Sequence, residues 1–245
     1  MSSLSTEQNE LLHDFFADDA SQFLDRMAQF NELMMKYNSA IREVQTKLQI
    51  LNDELSLRGR ANPIDSIRTR VKKPLSIAEK LRRRGKEVSV EAIFENLNDV
   101  AGIRVICPFI DDIYAVADML ARQDDITVLA VKDYIKNPKP NGYRSYHMIV
   151  EVPVFFSNYK QPMRVEVQIR TVAMDFWASL EHQMRYKNNS EASRSICDDL
   201  KKCADTIART DEEMQRLRHQ IDQHTRSQED LAAAVQASES SAGKR

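Results

Sequence analysis

Between Phe23 and Leu55, apolar side chains fall at 23, 27, 30, 34, 37, 41, 44, 48, 51 and 55, in steps of four and three with no proline. That spacing follows the 3.6-residue helical turn, so it predicts one long amphipathic helix whose apolar stripe must be covered. Asn38-Ser39 is the one place where a break is expected. A second stripe follows Ile196, at 200, 203, 207, 210, 214, 217 and 221. Either stripe can pack on the chain's own sheet or on another copy, and the spacing favours neither. From Ala232 the chain turns to Ala, Ser, Gly and Lys, which bury little and are expected to fray.

The middle has a different period. β-Branched and apolar clusters at Ile103–Pro108, Ile126–Tyr134, Ser145–Val154 and Met163–Ile169 predict four strands, and Ser66–Val71 is a candidate fifth. A helical pattern at Asp111–Ala121 lies between the first two, and another follows Thr171. The expected class is therefore α/β of the α+β kind, a sheet with helices packed on it. Its expected divisions are a helical extension over 1–60, a catalytic domain over 61–188, and a C-terminal helix with a polar tail over 189–245.

Composition removes several function classes. Five glycines, at 59, 85, 102, 142 and 243, lie too far apart for a Walker A loop or a G-x-G-x-x-G turn. A net charge of −2 gives no global field toward nucleic acid or membrane, so any anion site must be local. No apolar run approaches the ~20 residues of a membrane span. The acidic start lacks a signal-type apolar block, and three cysteines suit no disulfide framework, which points to a reducing cytoplasm. Cys197 and Cys203 fall on nearly opposite helical faces and are expected to be buried thiols rather than metal ligands.

Charge is segregated. Residues 1–57 hold four basic and ten acidic residues, whereas 58–86 hold eleven basic and two acidic ones. In the basic block Pro74 suits a helix start, which stacks Ser76, Lys80 and Arg83 or Arg84 on one face, next to Arg70 and Lys72. Such a ladder of donors fits a polyphosphate; a single-stranded nucleic acid fits almost as well, and a merely solvated face stays open. Asp99 stands at the mouth of the Ile103 strand, where it could cap a turn or ligate Mg²⁺. Arg104 lies inside that strand, and an unpaired guanidinium in a core would cost several kcal/mol, so it should lean out toward an anion or an aromatic base.

Two further clusters carry chemistry. Residues 132–147 form a basic loop with two prolines, Asn141-Gly142 and Lys139. Tyr143 offers it a stacking face, and His147 could reach a phosphate or sugar. Alternatively, Tyr143 covers a sheet end and His147 is a core histidine. In Val165–Thr171, period two puts Glu166, Gln168 and Arg170 on one face. That face can be plain solvated sheet, or Glu166 can complete a two-carboxylate Mg²⁺ site with Asp99.

The blocks Arg70-Val71-Lys72 with Ser76 and Lys80, Asn98-Asp99-Val100-Ala101-Gly102-Ile103-Arg104, Asn141-Gly142-Tyr143-Arg144-Ser145-Tyr146-His147, and Glu166-Val167-Gln168-Ile169-Arg170-Thr171 with Trp177-Ala178 and Glu181-His182 stand in a fixed order. Together they resemble the synthetase domain of the RelA/SpoT family, over about Ser66 to Lys187. With its flanking helices, the chain is similar to the stand-alone small alarmone synthetases. The resemblance implies a nucleotidyltransferase-like, five-stranded mixed sheet with flanking helices and long N- and C-terminal helices. It implies transfer of the β,γ-pyrophosphoryl group of ATP to the 3′-hydroxyl of GTP or GDP, giving (p)ppGpp and AMP.

Carried over by position, Arg70 and Arg104 would flank adenine, and Lys72, Ser76, Lys80 and Arg83 would hold the ATP phosphates. Asp99 and Glu166 would bind Mg²⁺, with Glu166 also deprotonating the attacking hydroxyl. Tyr143 would stack on guanine, Lys139 and His147 would bind the acceptor's phosphates, and Asp175 stands where some relatives carry Asn near the guanine. The resemblance further suggests a homotetramer, with an alarmone or single-stranded RNA as a regulator to consider. Larger relatives add a hydrolase built on a His-Asp metal site; His13-Asp14 lacks the companion ligands for one. The alternative from another class is a non-catalytic nucleotide- or single-stranded-RNA-binding regulator.

Overall fold

A computed structural model describes residues 20–57, 62–187 and 193–242. His13-Asp14 lies outside them. Helix α1 (Ala20–Leu57) leads to β1 (Ser66–Val71), α2 (Pro74–Arg83), α3 (Val90–Asn96), β2 (Ala101–Cys107) and α4 (Ile110–Ala121). Then come β3 (Thr127–Asp133), β4 (Tyr146–Phe155), β5 (Lys160–Thr171), α5 (Val172–Lys187) and α6 (Ser193–Ala242). All five expected strands are present, in the order β1-β2-β5-β4-β3. Only β2 and β5 run parallel; the other pairs are antiparallel, so the sheet is mixed.

Local chemistry sets the boundaries that matter for function. Pro74 opens α2 at its first turn, where a missing N–H costs nothing. Ser89 caps α3 by accepting from the Ala92 N–H at 3.1 Å. Strand β5 alternates between buried Val165, Val167 and Ile169 and half-buried Glu166 and Gln168, as period two requires. Its apolar side joins Ile103, Val105, Met148 and Val150 in the core. Helices α1 and α4 pack on the sheet, and their buried side chains complete the same core.

The N-terminal stripe packs on the sheet, with Tyr37, Ile41, Val44 and Leu48 buried in the core. The expected break at Asn38-Ser39 does not occur. Asn38 Nδ2 and Ser39 Oγ donate to the carbonyls of Met34 and Met35 four residues back, at 2.9 and 3.0 Å, so their polar groups are satisfied within one continuous helix.

The C-terminal stripe behaves otherwise. Helix α6 buries Ala204, Asp211 and Gln215, whereas Met214, Leu217 and Ile221 are 50%, 47% and 65% exposed. Polar pairing turns the helix: Asp211 accepts from Thr171, Gln215 bonds Asp111, and Arg218 pairs with Asp112 at 2.6 Å. The helix continues to Ala242 through the segment expected to fray. Cys197 and Cys203 are exposed, which corrects the expectation of buried thiols, while Cys107 is buried. They lie on the outward sides of a helix whose inward face is set by Ala204 and Asp211.

Candidate active site

The sheet face opposite the apolar core gathers most of the predicted residues. Register places Arg70 beside Gly102, Arg68 beside Arg104, Gly102 beside Glu166, Arg104 beside Gln168, and Gln168 beside His147. Residues from four strands thus share one surface, because directly paired neighbours point to the same side. Asp99 stands just before β2, the strand whose Gly102 pairs with Glu166. The two carboxylates are near enough for the charge of Asp99 to oppose ionisation of Glu166.

On the β1–β2 side, Lys72 and Lys80 each place Nζ 2.6 Å from Asp99 Oδ2. Burial works against the Asp99 charge, but hydrogen bonds and charge from the two lysines outweigh it and hold the carboxyl below its ordinary pKa. Its other oxygen, Oδ1, is buried and has no hydrogen-bond partner. Among the described residues no cluster of three or more His, Cys, Asp or Glu side chains forms a metal cage. Mg²⁺ does not need one, since it takes one or two carboxylates plus waters and substrate phosphates, and the orphaned Asp99 oxygen suits that donor set.

Helix α2 carries Ser76, Lys80 and Arg83 on one face, away from buried Ile77 and Leu81. Arg84 Nη1 donates to the Asn96 carbonyl at the end of α3, and Arg82 lines a cavity with Arg26 and Lys86. Of the three consecutive arginines, Arg83 therefore shares the ladder's face. Next to the ladder a cleft is lined by Arg68, Thr69, Arg70, Gly102, Arg104 and Gln168. Burial and the like charges of Arg170 and Arg70 lower the Arg104 pKa against the pull of Asp175, and Arg104 Nε is buried without a partner.

On the other side lies the loop from 134 to 145. The Tyr143 hydroxyl is 2.8 Å from His147 Nε2 and accepts from Arg170. With its proton directed to Nε2, His147 keeps its own proton on Nδ1, which faces Glu166 Oε1 at 3.5 Å. Burial pushes the His147 pKa down more strongly than Glu166 raises it, so the ring is neutral at physiological pH. Glu166 also accepts from Gln168 Nε2 at 2.8 Å; burial opposes its charge, yet these hydrogen bonds keep it below the usual carboxylate range. Lys139 Nζ stands 4.6 Å from the ring centres of both Tyr134 and Tyr143.

Asp175 lies between the two sides. Its Oδ1 takes Arg104 at 3.1 Å and Arg170 at 3.2 Å, and its Oδ2 takes Arg68 at 3.5 Å. The arginine expected to lean toward a ligand thus also has a protein partner. Sequence reasoning passed over Arg68 and gave Arg170 no role. Period two from Arg70 would have found Arg68, and the same period from Glu166 does set Arg170 on the shared face.

Residues 69–191 match the family described as the region found in RelA / SpoT proteins. The chain belongs to the RelA/SpoT family. GTP pyrophosphokinase YwaC of Bacillus subtilis is 43% identical over 192 residues, 78% of this chain and 91% of that protein. Small alarmone synthetase 1 of B. subtilis, solved with its product pppGpp, superposes with a TM-score of 0.72 at 35% identity, covering 79% of this chain and 98% of that one. The same synthetase bound to AMPCPP gives 0.68 at 33% identity, covering 80% and 99%. These relatives share the mixed five-stranded sheet with flanking helices.

Proposed function

We propose that this chain is a GTP pyrophosphokinase of the small alarmone synthetase type, moving the β,γ-pyrophosphoryl group of ATP to the 3′-hydroxyl of GTP or GDP. The observation that carries the reading is that Asp99, paired with Lys72 and Lys80, lies near enough to Glu166 for their charges to interact, beside the arginine cleft. YwaC, named a GTP pyrophosphokinase, and a synthetase solved with pppGpp support it from the side of kinship.

In this reading Arg70 and Arg104 hold adenine between planar cations. Lys72, Ser76, Lys80 and Arg83 receive the triphosphate, and the lysines exchange the Asp99 carboxylate for phosphate oxygens. Tyr143 stacks on guanine while Lys139 and His147 meet the acceptor's phosphates. The 3′-oxygen attacks the β-phosphorus, its bond to that phosphorus forms as the bridge to the α-phosphate breaks, and AMP leaves. Glu166 takes the hydroxyl proton; its low pKa makes it a modest base, so placement does most of the work. Asp99 and Glu166 would hold Mg²⁺, which when bound neutralises phosphate charge.

Asp175, expected near guanine, serves in this reading as the counter-charge of the arginines on both sides. The exposed Met214, Leu217 and Ile221 support a homo-oligomer, for which we propose the tetramer. We place the chain in the cytoplasm, where its nucleotides are; among the described residues no helix is long and apolar enough to cross a membrane. Incubation with ATP labelled in the β and γ positions, GTP and Mg²⁺ should give labelled guanosine polyphosphate and AMP in equal amounts. AMP without that product would count against the transfer assignment, whereas salt-sensitive RNA binding without any turnover would favour the non-catalytic regulator instead.

A further inference from the structure

The loop that carries Lys139 and Tyr143 closes on itself: the Gly142 N–H donates to the Lys139 carbonyl at 2.8 Å and the Lys139 N–H to the Tyr143 carbonyl at 3.2 Å. Its outer side rests on α6. Gly142 has φ +88°, and a Cβ placed there would come within 2.5 Å of Ala204 Cβ. No side chain fits between loop and helix at that point. One residue past the tyrosine, Arg144 donates to the Gly142 carbonyl at 3.0 Å and reaches the same helical turn, with Nη2 3.1 Å from Asp205 Oδ1 and Nη1 3.5 Å from the Ala204 carbonyl.

That turn is itself anchored. Trp177 Nε1 on α5 donates to the Leu200 carbonyl at 2.9 Å, and Thr171, at the end of β5, bonds Asp211. Further along, Gln215 and Arg218 bond Asp111 and Asp112 on α4. Helix α6 is thus fixed to the body that carries Glu166, and the loop is fixed to α6. All of these α6 residues lie beyond the 69–191 segment that defines the family match.

We infer that the Lys201–Asp205 turn of α6 is the floor of the acceptor site: Ala204 against Gly142 and Asp205 against Arg144 set the height of the Tyr143 ring, and with it the affinity for a guanine nucleotide. This rests on the acceptor role given above to Tyr143. Ala204 and Asp205 touch no substrate and are positioning residues. The lysine ladder and the arginine cleft lie across β5 from this floor, so the donor nucleotide does not feel it. Trp177, the chain's single tryptophan, lines the small cavity between loop and helix with Gly142, Arg144 and Ala204. It therefore reports on their seating.

The test uses the full chain. Asp205→Asn should raise the KM for GDP about two- to fivefold, the size expected for a partly exposed ion pair, with the KM for ATP and the melting temperature unchanged. Asp205→Glu should restore it. Ala204→Leu, which lifts the loop, should raise the GDP KM by about tenfold or more. In the wild type, GDP alone should shift Trp177 emission and a non-hydrolysable ATP analogue alone should not. Equal rises in both KM values with a lower melting temperature would reduce these contacts to ordinary stability and overturn the inference, as would an unmoved GDP KM in Asp205→Asn. If the wild type transfers nothing, the proposed function fails; GDP titration of Trp177 still reads the floor by itself.

Discussion

Glu166 owes its usefulness to two neighbours, Gln168 and His147, that keep one carboxylate ionised inside a half-buried face. Glu166→Gln retains the shape while removing the base, so kcat should fall by about 10²–10⁴-fold with little change in the unfolding midpoint; steady-state kinetics beside a urea titration checks both. His147 gives a pH signature. Burial depresses its pKa, so the unfolded chain takes up the proton before the folded one as pH falls below ~6.5. The stability this confers is complete above that pH and lost as pH drops through the lower folded value. Protonation also removes the acceptor for Tyr143, so turnover should fall in the same window. Urea midpoints from pH 7.5 to 5, compared with His147→Gln, measure the effect; parallel profiles would remove burial of His147 as its cause. Much of this was legible in the sequence, because strand periodicity alone aligns Glu166, Gln168 and Arg170. The surroundings of Asp175 were not: its three arginines come from β1, β2 and β5, and only sheet order brings them together.

Among the elements, α1 is an integral wall of the sheet. Tyr37, Val44 and Leu48 are almost wholly buried in the core shared with the strands. Leu48→Ala should cost about 2–5 kcal/mol, seen as a lower urea midpoint at unchanged m-value. A cost near zero would mean the helix packs loosely. Its period announced the helix but not whether the stripe met the sheet or another copy, and strand and helix positions were mostly legible to within a few residues. The facing of α6 was not. Apolar spacing at 214, 217 and 221 suited the chain's own sheet and another copy alike, but the surface the helix meets offers Thr171, Asp111 and Asp112, whose polar groups must be satisfied. Those partners outweigh the apolar stripe and rotate it outward.

At the scale of the whole molecule, the proposed homo-oligomer would use that outward stripe as its seam between copies. Leu217→Glu should lower the mass read by light scattering, since a charge in a packed interface must lose its water; an unchanged mass would move the seam elsewhere. Sheet order has a different consequence. Strand β5 lies between β2 and β4, yet among the described residues it is the last strand in sequence. During synthesis, the half carrying the lysines and the half carrying Tyr143 each emerge without a shared neighbour, and neither can zip onto the other until Thr171 has left the ribosome. A polypeptide stopped before β5 would hold two unjoined half-sites and no Glu166, so the cell would meet this chemistry only once that strand has been made.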